Sequence, residues 1–279
     1  MRKNIFKEAT IIAVLILLPF LLPYFHVAVD IGLILSFVSL LFTILIGFFI
    51  GTATTNYIRL QSLISNLNAD LIKIFFLGKK IQHSAAKNIA DKIDQYVIAT
   101  LDYPFLEWAP NVKKEFDQIT QAIEQVKPSN EVGIALLPYL LTTKSDLDKE
   151  NQEIILTSKR IFSVRHWLII ISLVIVIAIL LLSLRDGYWA YSLIIGILLV
   201  SLFQILVLAY EVDSNIFLAR KLAYKNPQQI FQAIGKMPYY PGIAILDHSA
   251  AEPNENYRIG IYKNYPHSLE KKIKIIKKK

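Results

Sequence analysis

The chain has no cysteine, which excludes disulfides, thiolate catalysis and cysteine metal sites. Charge is scarce as well: 19% of its 279 residues are charged, against roughly 25% in ordinary soluble domains. The scarcity falls in blocks. Residues 9–25, 32–55, 167–184 and 188–210 contain no Asp, Glu, Lys, Arg or His. Ion-coupled transporters and proton pumps need such groups at membrane depth, so both classes are disfavoured. The five histidines (His26, His83, His166, His248 and His267) show no ligand spacing, and there is no Gly-rich phosphate loop or nucleophile motif. Asp247-His248 with Glu252 and Glu255 is the densest group of metal-type side chains, and its ordinary reading is a solvated turn. No enzyme activity, cofactor or metal is expected. The net charge of +8 is read as Lys and Arg on one side of a membrane, with no nucleic-acid partner.

What the chain does have is apolar runs, with 54% hydrophobic residues and a mean hydropathy of +0.44. The central one is residues 32–55, GLILSFVSLLFTILIGFFIGTATT, long enough at about 1.5 Å per residue to cross a bilayer core of about 30 Å. Gly32, Ser36, Ser39, Thr43, Gly47, Gly51 and Thr54 recur at steps of three or four and share one helical face. Ser36, Ser39, Thr43, Gly47, Gly51 and Thr54 are therefore candidates either to line a pore or to pack helices. Gly47 and Gly51 form a small-xxx-small pattern that lets backbones approach, and a pore without charges can gate by dewetting. Gln204, a lone amide in the last run, is read as an interhelical bond.

The expected fold is an all-α integral membrane protein with four transmembrane helices in two hairpins, an inserted cytoplasmic helical domain and a small mixed or β C-terminal tail. Residues 1–55 form the first hairpin, with spans at 9–25 and 32–55; for residues 1–28 a signal peptide is the alternative to an uncleaved span. Residues 56–166 form the cytoplasmic domain, residues 167–210 the second hairpin with spans at 167–184 and 188–210, and residues 211–279 the tail. Arg2, Lys3, Lys7, Arg59, Lys159, Arg160, Arg165, Arg220, Lys221 and Lys225 fall on one side of this layout, which makes both termini cytoplasmic in a plasma-membrane protein.

Within the domain, the second span is expected to continue unbroken as an amphipathic helix ending at Gly78. A helix over residues 84–101 follows. A third is capped by Asn111 and shows Val112, Phe116, Ile119, Ile123 and Val126 on one face. A polar helix from Thr142 runs without a break into the third span. In the tail, helix is expected over residues 215–224 and through Ile234, and strands at 242–246, 257–262 and 272–276. The end, KKIKIIKKK, makes Lys271, Lys272, Lys274, Lys277, Lys278 and Lys279 candidates for anionic lipid headgroups, or else a frayed tail.

Four stretches carry a resemblance. IGFFIGTATTNYIRLQSLISNLNADLIKIFFLGKKI reads as a span running into a long cytoplasmic helix, and TSKRIFSVRHWLIIISLVIVIAI as a basic helix entering the third span at a Trp. The tight turn and the fourth span follow, and then the acidic segment YEVDSNIFLARKL. Together they resemble the bestrophin-like membrane proteins of bacteria and archaea, distant relatives of bestrophin anion channels. The resemblance covers roughly residues 5–225. It implies a homo-oligomer, pentameric as in bestrophins, and anion conduction. No bestrophin pore or calcium-site motif matches residue by residue. Two functions are carried forward: an oligomeric ion channel, or a membrane-anchored interaction or scaffolding protein without transport activity.

Overall fold

The computed structural model describes residues 2–22, 30–103, 107–186, 188–214, 224–246, 250, 253–265 and 267–278. The fold is mostly helical, with a small mixed sheet near the C-terminus. The chain forms two compact units, one of residues 1–57 with 160–214, the other of residues 58–159 with 215–279.

The first unit holds α1 (Arg2–Leu21), the first part of α2 (Ile31–Ile81), α7 (Val164–Ser183) and α8 (Trp189–Asp213). Helices α2, α7 and α8 are each long and apolar enough to cross a membrane, whereas the apolar part of α1, Ala9–Leu21, is shorter. The loop after α1 lies outside the described residues. All four helices feed one core: Phe42, Ile46, Phe49 and Ala53 from α2, Ile170, Ile177 and Leu181 from α7, Ile195, Leu199 and Ala209 from α8, with Leu15 and Leu18 of α1 packed against them.

The second unit holds the rest of α2, then α3 (His83–Asp102), α4 (Trp108–Asn111), α5 (Lys113–Glu124), α6 (Glu131–Thr157), α9 (Lys225–Ala233) and the sheet. Its core is built from helical faces, that of α5 as the sequence marked it. Buried in it are Leu60, Leu63, Leu67, Leu71 and Ile74 of α2, Ile89, Ile93 and Val97 of α3, Phe116, Ile119 and Ile123 of α5, and Leu140, Leu147 and Ile154 of α6. Strand β1 (Tyr239–Pro241) runs parallel to β2 (Tyr257–Asn264), which pairs antiparallel with β3 (Ser268–Ile276), so that β3 is an edge.

Several local expectations are corrected. Helix α2 does not stop at Gly78. It runs to Ile81, and a Cβ at Gly78 would lie 2.5 Å from Cδ1 of Ile89, so this glycine serves a close helix approach rather than a C-cap. Asn111 is not an N-cap: it ends α4, its side-chain amide donates to the Glu107 carbonyl, and Val112 precedes α5. Helix α6 begins at Glu131, ahead of the expected Thr142, because Asn130 caps it by accepting from the Gly133 amide at 2.7 Å; Pro138 is absorbed inside. It does not run on into α7. The helix ends at Thr157, and the Phe162 amide turns instead to the Asp213 carboxylate. Residues 242–246 form a short helix, α10 (Gly242–Leu246), not a strand: pairing with β2 ends at Pro241, and Gly242 at the helix start sits against the Gly260 carbonyl, where a side chain has no room. The strands expected at 257–262 and 272–276 are present and longer. Residues 215–223 and the Asp247-His248 and Glu252 positions lie outside the described residues.

Candidate functional site

The small polar stripe of α2 stands beside its buried face. Phe42, Ile46, Phe49 and Ala53 face the core, while Ser36, Thr43, Gly47, Gly51 and Thr54 are exposed and Ser39 is half-buried. A Cβ built on Gly47 or Gly51 would meet nothing within 4 Å. Two of the hydroxyls are satisfied by their own helix: Ser36 donates to the Gly32 carbonyl at 2.9 Å and Thr43 to the Ser39 carbonyl at 2.8 Å. Such back-bonding lets a hydroxyl sit in an apolar setting without a second partner. A second open face, apolar and flanking the stripe, is made by Leu33, Phe37, Ile44 and Phe48.

The close helix crossing inside the unit occurs elsewhere. Gly196 of α8 meets α1, where a Cβ would lie 2.9 Å from the Ile16 carbonyl oxygen. Ser192 one turn earlier is buried. The small-residue pattern read at Gly47 and Gly51 is thus unused within one chain, and one that went unread, Ser192-x-x-x-Gly196, does the packing. Gln204 stays exposed on α8.

Two buried polar groups fasten the ends of these helices. Arg185, after α7, donates to the carbonyls of Pro19 and, at 3.1 Å, Leu22, and its Nε donates to Leu182 at 3.1 Å. Its guanidinium therefore serves carbonyls that the ends of α1 and α7 leave open. At the other end, Asp213 is buried and accepts from the Trp167 indole at 3.1 Å and the Phe162 amide at 3.4 Å. Phe49 of α2 stacks on Phe162 with ring centroids 3.5 Å apart and meets Trp167 edge-on. Arg160 lies over the Tyr210 ring, 5.3 Å from its centroid. Aromatic rings and a buried acid thus tie α2, α7 and α8 together. The sequence signal for Asp213 was its place just after the last apolar run; for Arg185, its place in a two-helix turn.

The second unit carries two polar clusters that the sequence did not mark. Asp102, at the end of α3, is buried and accepts from Tyr262 at 2.5 Å, Tyr239 at 3.1 Å and Lys271. Burial pushes both tyrosines above their ordinary pKa and Lys271 below its own. Beside this, Arg258 of β2 pairs with both oxygens of Asp94 at 2.8 and 2.6 Å, so α3 anchors the sheet at two points. Of the tail lysines, Lys271 is turned into this cluster, while Lys272, Lys274, Lys277 and Lys278 are exposed; Lys279 lies outside the described residues. The tail is not frayed, since β3 is paired through Ile276.

The second cluster is a cleft of about 400 Å³ between α2 and α6, lined by Leu63, Asn66, Ala69, Asp70, Asp146, Lys149, Glu150 and Glu153. Glu153 is held by Arg59 at 2.9 Å. Burial, then the nearby Asp70, pushes Glu150 up to about 7, and burial raises Asp70 too. Among the described residues no group of three or more His, Cys, Asp or Glu is placed to hold a metal.

Helices long and apolar enough to cross a membrane, with hydroxyls that bond back to their own helix, define a helical integral membrane protein. Within that class the chain belongs to the bestrophin-like family: the family model described as the Bestrophin-like domain matches residues 26–215. No curated protein and no solved structure matches it.

Proposed function

We propose that this chain is one subunit of an oligomeric ion channel for anions, not an enzyme. Its four apolar segments span the cell membrane as two hairpins, with both termini cytoplasmic, as the distribution of Lys and Arg argues. The observation that carries the reading is the open stripe on α2: Ser36, Thr43, Gly47, Gly51 and Thr54 are exposed among the described residues, and Ser39 is half-buried. One α2 from each subunit, turned inward, would give a neutral pore with small polar walls and apolar narrowings. The lack of ionisable groups in the spans fits a passive pathway better than coupled transport. The family's distant kinship with pentameric anion channels makes five the expected number of subunits.

The test is chloride flux in liposomes holding the purified protein, beside its detergent-corrected mass. The expected result is flux from a species several times the monomer mass, cut at least tenfold by Thr43→Trp. A monomer or dimer that passes neither chloride nor cations overturns the reading. The competing function, a scaffold whose exposed Lys272, Lys274, Lys277 and Lys278 hold anionic headgroups or a partner, predicts no flux. It predicts instead a loss of that binding when residues 271–279 are removed.

A further inference from the structure

Glu150 sits where a carboxylate is poorly served. Its Oε2 is buried without a hydrogen-bond partner, and its carboxyl is bonded by Asn66 of α2. From α2 it faces Asp70, with Lys73 beside that group; Arg59, also on α2, is paired with Glu153. From its own helix α6 it faces Asp146, Lys149 and Glu153. Three carboxylates thus surround a fourth in one cleft, and among the described residues no ion pair is formed by Glu150, whereas the neighbouring Glu153 is paired with Arg59. A neutral acid suits this place, because it removes the repulsion and the unsolvated charge together.

We propose that the α2–α6 cleft is a proton-operated latch: protonated Glu150 lets α6 seat against α2, and its ionisation, against Asp70, Asp146 and Glu153, levers the two helices apart. A carboxyl held up to about 7 changes charge within the ordinary range of cytoplasmic pH. The sign follows from linkage. A carboxyl raised on folding favours the seated form at low pH. That advantage is lost as pH rises from the ordinary glutamate range of about 4.3 through the raised value. Because α2 is one continuous helix from Ile31 to Ile81, the latch bears on the helix that also carries the Ser, Thr and Gly stripe. The latch stands apart from the channel reading, since the seating of α6 is measured without any flux.

The absence of native cysteine permits clean spin labelling at two exposed positions, Ser65→Cys on α2 and Gln152→Cys on α6. The full chain in lipid nanodiscs, diluted with unlabelled protein, is compared at about pH 5.5 and about pH 8.5 by pulsed electron–electron resonance, bracketing the raised value. The expected result is a longer inter-label distance at the higher pH. In Glu150→Gln, which mimics the neutral acid, the short distance should persist at both pH values. Asp70→Asn should move the midpoint to lower pH while keeping the transition. A distance that does not change with pH in the parent overturns the latch, as does a transition that survives Glu150→Gln.

Discussion

Single residues at the helix ends hold the first unit together. Asp213 accepts two buried donors, the Trp167 indole and the Phe162 amide. Asp213→Ala should cost about 1–3 kcal/mol for each donor left unpaired, seen as a lower thermal unfolding midpoint in detergent by tryptophan fluorescence. Asp213→Asn retains one acceptor and should lose less. Equal losses would mean that the carboxylate charge, not its hydrogen bonds, matters. Arg185 is the other pin. Arg185→Met keeps much of the volume but strands the Pro19 and Leu22 carbonyls. The expected outcome is faster proteolysis between α1 and α2, with little change in the cleavage of residues 58–159.

At the scale of elements, two glycines that look alike in sequence have opposite structural roles. Gly196→Ala would push a Cβ to within 2.9 Å of the Ile16 backbone, and backbone cannot rotate aside, so α1 must shift; overpacking of this kind costs about 1–3 kcal/mol. Gly47→Ala meets nothing in its own chain and should leave the monomer's unfolding midpoint unchanged. Any effect should instead appear in the mass of the assembled species. If both variants lower the unfolding midpoint of a monomer equally, then Gly47 is packed within the chain. The junction between α6 and α7 shows the same dependence on context. Residues 158–163 carry no proline or glycine to break a helix. They break it because Phe162 has a better place, with its amide on Asp213 and its ring on Phe49.

For the whole molecule, α2 is one helix shared by two units, its first part in the apolar one and its remainder in the charged one. The apolar unit leaves the α2 stripe open. The charged unit closes its core with α3, α5 and α6 and ties the C-terminal sheet to α3 through Asp102 and Asp94. The central functional prediction belongs at this scale: flux through an oligomer that Thr43→Trp blocks. A tryptophan there should leave each subunit folded, since Thr43 is exposed in the single chain.

The sequence by itself determined the membrane class, the apolar helices, the unbroken run of α2 past its span, and the buried face of α5. These follow from hydropathy and from a 3.6-residue period, both of which are local properties. Family membership was also legible, because it rests on the order of such segments. Only the tertiary structure decided which glycines pack, where α6 ends, that residues 242–246 coil, and that Lys271, Tyr239 and Tyr262 gather on Asp102. Those outcomes depend on which partner reaches a given backbone or side-chain group first, and such partners lie as much as 169 residues apart in the chain.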